Sequence, residues 1–131
     1  MVEVVAFASA EAVMVAYLRA ELGARGETAT VATRVPATRP AELVRVMRVG
    51  GTRDDIITDG AMLTFDCWAP NEIAAEALAA MVRALVGAMP DRSDTCRRVT
   101  EVGGPVNQPD PDTNSPRYVF TALAYLRGHT I

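Results

Sequence analysis

The stretch RYVFTALAYLR, Arg117 to Arg127, alternates without a break, with Tyr118, Phe120, Ala122, Ala124 and Leu126 all on one side. A period of two places successive side chains on opposite faces of a strand, so the chain must build a sheet with a buried face. A second such run, AMLTFDCWA, sets Leu63, Phe65 and Cys67 one way and Met62, Thr64, Asp66 and Trp68 the other. ELVRVMRV, Glu42 to Val49, alternates at its centre, Val44 and Val46 against Arg45 and Met47. ETATVATRVP (Glu27 to Pro36) and CRRVTEV (Cys96 to Val102) read as two further strands, the first closed by proline and followed by the turn PATRP, the second with a polar surface. GGTRDDIITDG, Gly50 to Gly60, reads as a charged link too long for a tight hairpin.

Two segments repeat at helical spacing instead. The first starts near Ser9, whose hydroxyl suits an N-cap, and ends before Gly23 or Gly26, with Ala10, Val13, Met14, Tyr17, Leu18 and Leu22 as its apolar stripe and Glu11 and Arg19 away from it. The second runs from a cap at Asn71 to about Met89, with Ala74, Ala77, Leu78, Met81, Val82 and Leu85 inward and Glu72, Glu76 and Arg83 outward, and PDRSDT breaks it. The order is α-β-β-β-α-β-β in a single domain spanning residues 1–131. Two amphipathic helices cover only one face of a mixed, mainly antiparallel sheet of about five strands, which is an α+β architecture. The other face must be partly exposed or covered by another chain, and Trp68 and Met62 point toward it.

Composition narrows the function classes. The net charge is −3, from 13 basic and 16 acidic residues, which gives no overall attraction to nucleic acid or an anionic membrane. All the basic residues are arginine, as a GC-rich genome would encode. Arg45, Arg48, Arg53, Arg97 and Arg98 read as surface arginines of sheet faces and edges, because the strands carrying them lack the aromatics that would stack on bases. Cys67 and Cys96 have no CxxC or Cys/His spacing, which argues against zinc, and nothing marks the chain as secreted, although a disulfide stays open. The N-terminus lacks a basic region and contains Glu3 and Glu11, so it is not read as a signal peptide. No apolar run is read as reaching transmembrane length, and a soluble protein with no membrane partner is expected.

The segment GGPVNQPDPDTNSPRYVF, Gly103 to Phe120, is the most unusual. DPDTN opens like a calcium loop, but Ser115 stands where the sharp turn needs glycine and Thr121 where a bidentate glutamate belongs, so no ion is assigned. Asp54, Asp55 and Asp59 read as a solvated loop or as partners for a neighbour's arginines rather than as a magnesium site. His129 is the only histidine and stands near the terminus; Ser9, Ser93 and Ser115 lack a nucleophile setting; VGGT and VGGP are turns, not phosphate loops. No enzyme and no cofactor are expected. Pro105 to Pro116 reads instead as a stiff contact loop, with Asn107, Gln108, Asp110, Asp112 and Asn114 offering amides and carboxylates to a neighbour.

VAYLRAELG, TRVPATRP, LVRVMRVGGTRDD, LTFDCWA and VGGPVNQPDPDTNSPRYVFTALAYLRG together resemble tail terminator proteins of long-tailed phages of actinobacteria, a family similar in role and fold to the lambda tail terminator. The resemblance covers nearly the whole chain. It implies a small α+β protein that closes into a hexameric ring, caps the major tail tube protein, stops its polymerisation and meets the head-tail connector protein. Genomic DNA would pass through the lumen without sequence-specific binding. It further implies residence in the virion, at the neck above the tail, and in the host cytoplasm during assembly. The family supplies no catalytic residue or cofactor. On the residues themselves, Arg45, Arg48 and Arg53 beside Asp54, Asp55 and Asp59, with the proline-rich loop, are the expected ring contacts. The alternatives are another neck protein on the head side of the joint, or a small α+β domain that binds a ligand or nucleic acid.

Overall fold

The computed structural model describes residues 3–131. Along the chain come β1 (Val5–Ala6), α1 (Ala10–Ala24), β2 (Thr30–Ala32), β3 (Leu43–Asp55), β4 (Thr58–Trp68), α2 (Glu72–Arg92), β5 (Cys96–Asn107), β6 (Arg117–Arg127) and β7 (His129–Thr130). The main sheet has five strands in the order β2-β3-β4-β6-β5. It is antiparallel except for the parallel β2–β3 pair. Both helices lie on one face, giving the α+β class and the element order that the periodicities predict. The short β1 and β7 form a second, two-stranded sheet that the sequence does not signal.

Both helix starts follow from their caps. The Ser9 hydroxyl accepts from the Ala12 amide at 3.2 Å, and Asn71 Oδ1 accepts from the Ala74 amide at 2.8 Å. The core then forms between Met14, Leu18 and Leu22 of α1, Val82 and Met89 of α2, and Val44, Val46, Leu63, Phe65 and Phe120 of the sheet. Phe65 and Phe120, opposite each other on β4 and β6, stack with ring centres 4.6 Å apart. The Tyr17 hydroxyl donates to the Leu85 carbonyl at 2.5 Å and joins the two helices.

Several boundaries differ from the sequence reading. On α2 the buried row is Ala75, Leu78, Ala79, Val82, Leu85, Val86 and Met89, while Ala77 is exposed and Ala74 half-buried. An alanine-rich helix has weak amphipathic contrast, so sheet contact rather than composition selects its inner face. Pro90 does not end it, because the Ser93 amide still bonds the Met89 carbonyl at 2.8 Å and closes the last turn. By length and composition α2 is apolar enough to cross a membrane, contrary to the expectation, but its inner row packs in this core. The strand expected over Glu27 to Pro36 is only the three residues of β2, an edge strand that the chain leaves at Thr33.

Gly50 to Gly60 is not a link. β3 continues to Asp55 and β4 begins opposite it at Thr58, so Ile56 and Ile57 make the whole turn. Gly50 and Gly51 form a bulge with φ of 148° and 97°, where the register shifts. A Cβ on Gly51 would lie 2.0 Å from the Gly60 carbonyl oxygen, so only glycine fits there. Asp55 supplies the turn chemistry that glycine was expected to supply: its Oδ1 accepts from the Ile57 amide at 2.9 Å. Gly103 to Asn107, expected as the start of a loop, likewise belongs to β5. Pro105 is tolerated there because β5 is an edge strand whose register shifts between Gly103 and Val106.

Candidate assembly surfaces

The sheet face away from the helices divides into two parts. At one end Trp68 is 1% exposed. Its indole Nε1 donates to Asp110 Oδ2 at 3.0 Å. The guanidinium carbons of Arg39, Arg45 and Arg117 stand 5.7, 5.5 and 5.5 Å from the ring centre. Arg45 also donates from Nε to Asp66 Oδ2 at 2.8 Å. Asp66 is buried, so this pair neutralises a charge inside the sheet.

The segment from Gln108 to Pro116 closes this end. Gln108 and Arg117 exchange two bonds, amide to carbonyl at 2.9 Å and Arg117 Nε to the Gln108 carbonyl at 2.9 Å. The Asp110 amide donates to the Ser115 carbonyl at 3.0 Å and the Asn114 amide to the Asp110 carbonyl at 2.7 Å. Asn114 takes a φ of 57° to make that turn. Asp110 Oδ1 accepts from the Asp112 amide at 2.9 Å, and Arg39 donates to Ser115 Oγ at 2.6 Å. The Asp112 amide first, then the Trp68 indole and the Arg117 charge, hold the Asp110 carboxyl below its usual range. Of the expected contact loop, Asp110 is therefore an internal anchor, and Asn107 belongs to β5 opposite Tyr118. Gln108, Asp112 and Asn114 remain exposed side chains.

The middle of this face is uncovered. Met47, Thr64 and Thr121 lie in one cross-strand row, and Met62 and Leu123 in the next. Met47 is exposed and the others are half-buried.

The hairpin end of β3 and β4 holds the second expected cluster. Arg48 reaches Asp59 with both terminal nitrogens, at 2.6 and 2.9 Å. Asp59 is buried, so it serves the fold and is not a free interface carboxylate. Arg53 lies over the Phe7 ring at 5.1 Å. Asp55 is occupied by the turn, and the Ile57 amide holds its carboxyl below the usual range. Asp54 is exposed, and among the described residues it has no hydrogen-bonded or ionic side-chain partner. Ile56 and Ile57 are 50% and 49% exposed. β2 pairs with β3 only as far as Arg45, and beyond that the Arg48 amide donates to Glu11 Oε2 at 2.8 Å.

Sequence reasoning thus placed Arg45, Arg48, Arg53, Asp54, Asp55 and Asp59 in one cluster, whereas Arg45 belongs with Trp68 and the others with the hairpin. It missed Asp66, Arg39 and Arg117 as partners of that indole region, and Ile56 and Ile57 as exposed apolar residues. A single acid inside LTFDCW was the available signal for a buried ion pair. Among the described residues no three of His, Cys, Asp and Glu converge on a possible metal position. Cys67 and Cys96 are free and buried, and burial pushes both thiols up. Compared with protein-family models and with curated proteins, the chain matches none.

Proposed function

We propose that this protein is a structural subunit that closes into a ring, most simply a hexamer, and caps the tail tube of a long-tailed phage. The observation that carries the reading is the uncovered middle of the second sheet face, Met47, Met62, Thr64, Thr121 and Leu123, beside a helix layer that fully serves the other face. A contiguous half-apolar strip of that kind suits contact with another protein. The likeness of the chain to phage tail terminators gives the partner: the last ring of tube protein on one side, the head connector on the other. A polymerising tube keeps an open end until something occupies it, so a cap fixes tail length without chemistry.

Phage lacking this protein should make normal heads and tails of uncontrolled length, seen in electron micrographs of the lysate. Normal-length, head-attached tails would remove the assignment. Unattached tails of normal length would instead place the protein on the head side of the joint.

A further inference from the structure

Two surfaces lie at opposite ends of β3. One is the turn Asp54–Ile57. Two half-exposed isoleucines sit at its tip, where turns ordinarily use glycine, asparagine or aspartate, and Asp54 stands beside them without a partner. The other is an open groove of about 410 Å³ between α1 and β2, with Ala12, Val15, Ala16 and Ala32 as its apolar floor and Arg19 and Arg34 at its rim. Small alanines on α1 and the short length of β2 leave this space. Arg19 spends its Nε and one terminal nitrogen on the Val31 carbonyl, at 3.0 and 2.8 Å. Among the described residues neither Arg19 nor Arg34 has a carboxylate within ion-pair distance, and Arg34 has no side-chain hydrogen bond. The tip of the turn offers two isoleucines and the Asp54 carboxylate, with Arg97 and Arg98 in the hollow beside it, and the groove offers an alanine floor with arginines at its rim.

The turn cannot enter the groove of its own chain. Ala32 pairs with Arg45, and Asp55 lies ten residues further along β3, roughly 30 Å away at about 3.3 Å per residue. We propose that the Asp54–Ile57 turn of one copy docks into the α1–β2 groove of the next copy, with Ile56 and Ile57 on the alanine floor and Asp54 paired to Arg34. Contact between two different surfaces of one chain is heterologous and closes into a ring when the rotation allows. The inference rests on the ring reading above and supplies its joint.

The test is a charge exchange read by native mass spectrometry. Asp54→Arg and Arg34→Asp should each stay folded, with circular dichroism and melting unchanged, and each alone should lose at least tenfold in ring yield. Mixed in equal amounts, they should assemble again. The arginine turn of one then meets the aspartate groove of the other, and the reverse joint is the native pairing. The rings should contain equal numbers of the two variants, three and three in a hexamer. Wild-type ring yield from either single variant, or failure of the mixture to recover, overturns the docking while leaving the capping function standing. Wild-type protein that forms no ring at any concentration and caps no tube overturns both. As a check on the apolar half, Ile56→Ser with Ile57→Ser should lose rings at unchanged fold; retained rings count against the joint.

Discussion

The segment Gln108–Pro116 and the turn Asp54–Ile57 both carry paired aspartates next to strands, yet they end in opposite conditions. The first is tied to the body by the Trp68 indole, by Arg39 and by its own backbone bonds. The second is held by one of its own aspartates and by a single backbone bond from the Gly128 amide to the Ile57 carbonyl, and leaves two half-exposed isoleucines and the other aspartate to solvent. Prolines and asparagines marked the first as the interaction arm, and regular strand geometry hides the second. The difference lies in what stands underneath. Trp68 needs a cover and a partner for its N–H, and the nearest chain supplies both. The hairpin turn meets only the Gly128 amide, which donates to the Ile57 carbonyl at 2.7 Å, and among the described residues Arg97 and Arg98, which line a hollow with Asp54 and Asp55, make no hydrogen bond to either carboxylate.

The strongest way to break this contrast is Trp68→Ala. Removing a buried tryptophan and orphaning the contacts of Asp110 should cost about 3–5 kcal/mol. Hydrogen exchange should then speed up at Asp110 and Asn114 while the hairpin amides keep their relative protection. An unchanged loop would mean that its own turns suffice. Gly51→Ala attacks the other region. Its Cβ would collide with the Gly60 carbonyl at a positive φ, so a loss of about 3 kcal/mol is expected in urea unfolding. A near-neutral result would deny the bulge.

A smaller effect should follow Asp110→Asn. The folded carboxyl is held below its ordinary range, so its contribution is present above the unfolded value of about 3.9 and is lost as pH falls through the lowered folded value. The variant should melt below wild type at pH 6, and the gap should close as pH falls below the unfolded value of about 3.9. A gap independent of pH would show that the carboxylate charge does not matter to the anchor. The least change is expected from Ile56→Ser with Ile57→Ser. Half-exposed turn residues should alter monomer stability by about 0.5 kcal/mol or less each. A large drop in melting temperature would mean that the turn packs inside its own chain.

Legibility followed distance along the chain. The faces of β4 and β6 and the caps Ser9 and Asn71 were readable because alternation and capping involve neighbours a few residues apart. Gly50 and Gly51 were misread as a turn because a bulge and a turn ask for the same residue, and only pairing of β3 with β4 separates them. The edge strand β5 was cut short at Val102 because glycine and proline signal a break wherever they stand, while an edge strand absorbs both.

The sequence by itself determined the α+β class, the element order and which strand faces turn inward, since burial of an alternating pattern admits one phase. Tertiary structure alone decided that Asp110 is an anchor and Asp54 is free. The indole that claims Asp110 lies 42 residues away in sequence, and Arg48 is claimed by the buried Asp59 of the facing strand. What separates the two aspartates is what the folded chain brings within hydrogen-bond distance, and no local pattern carries that information.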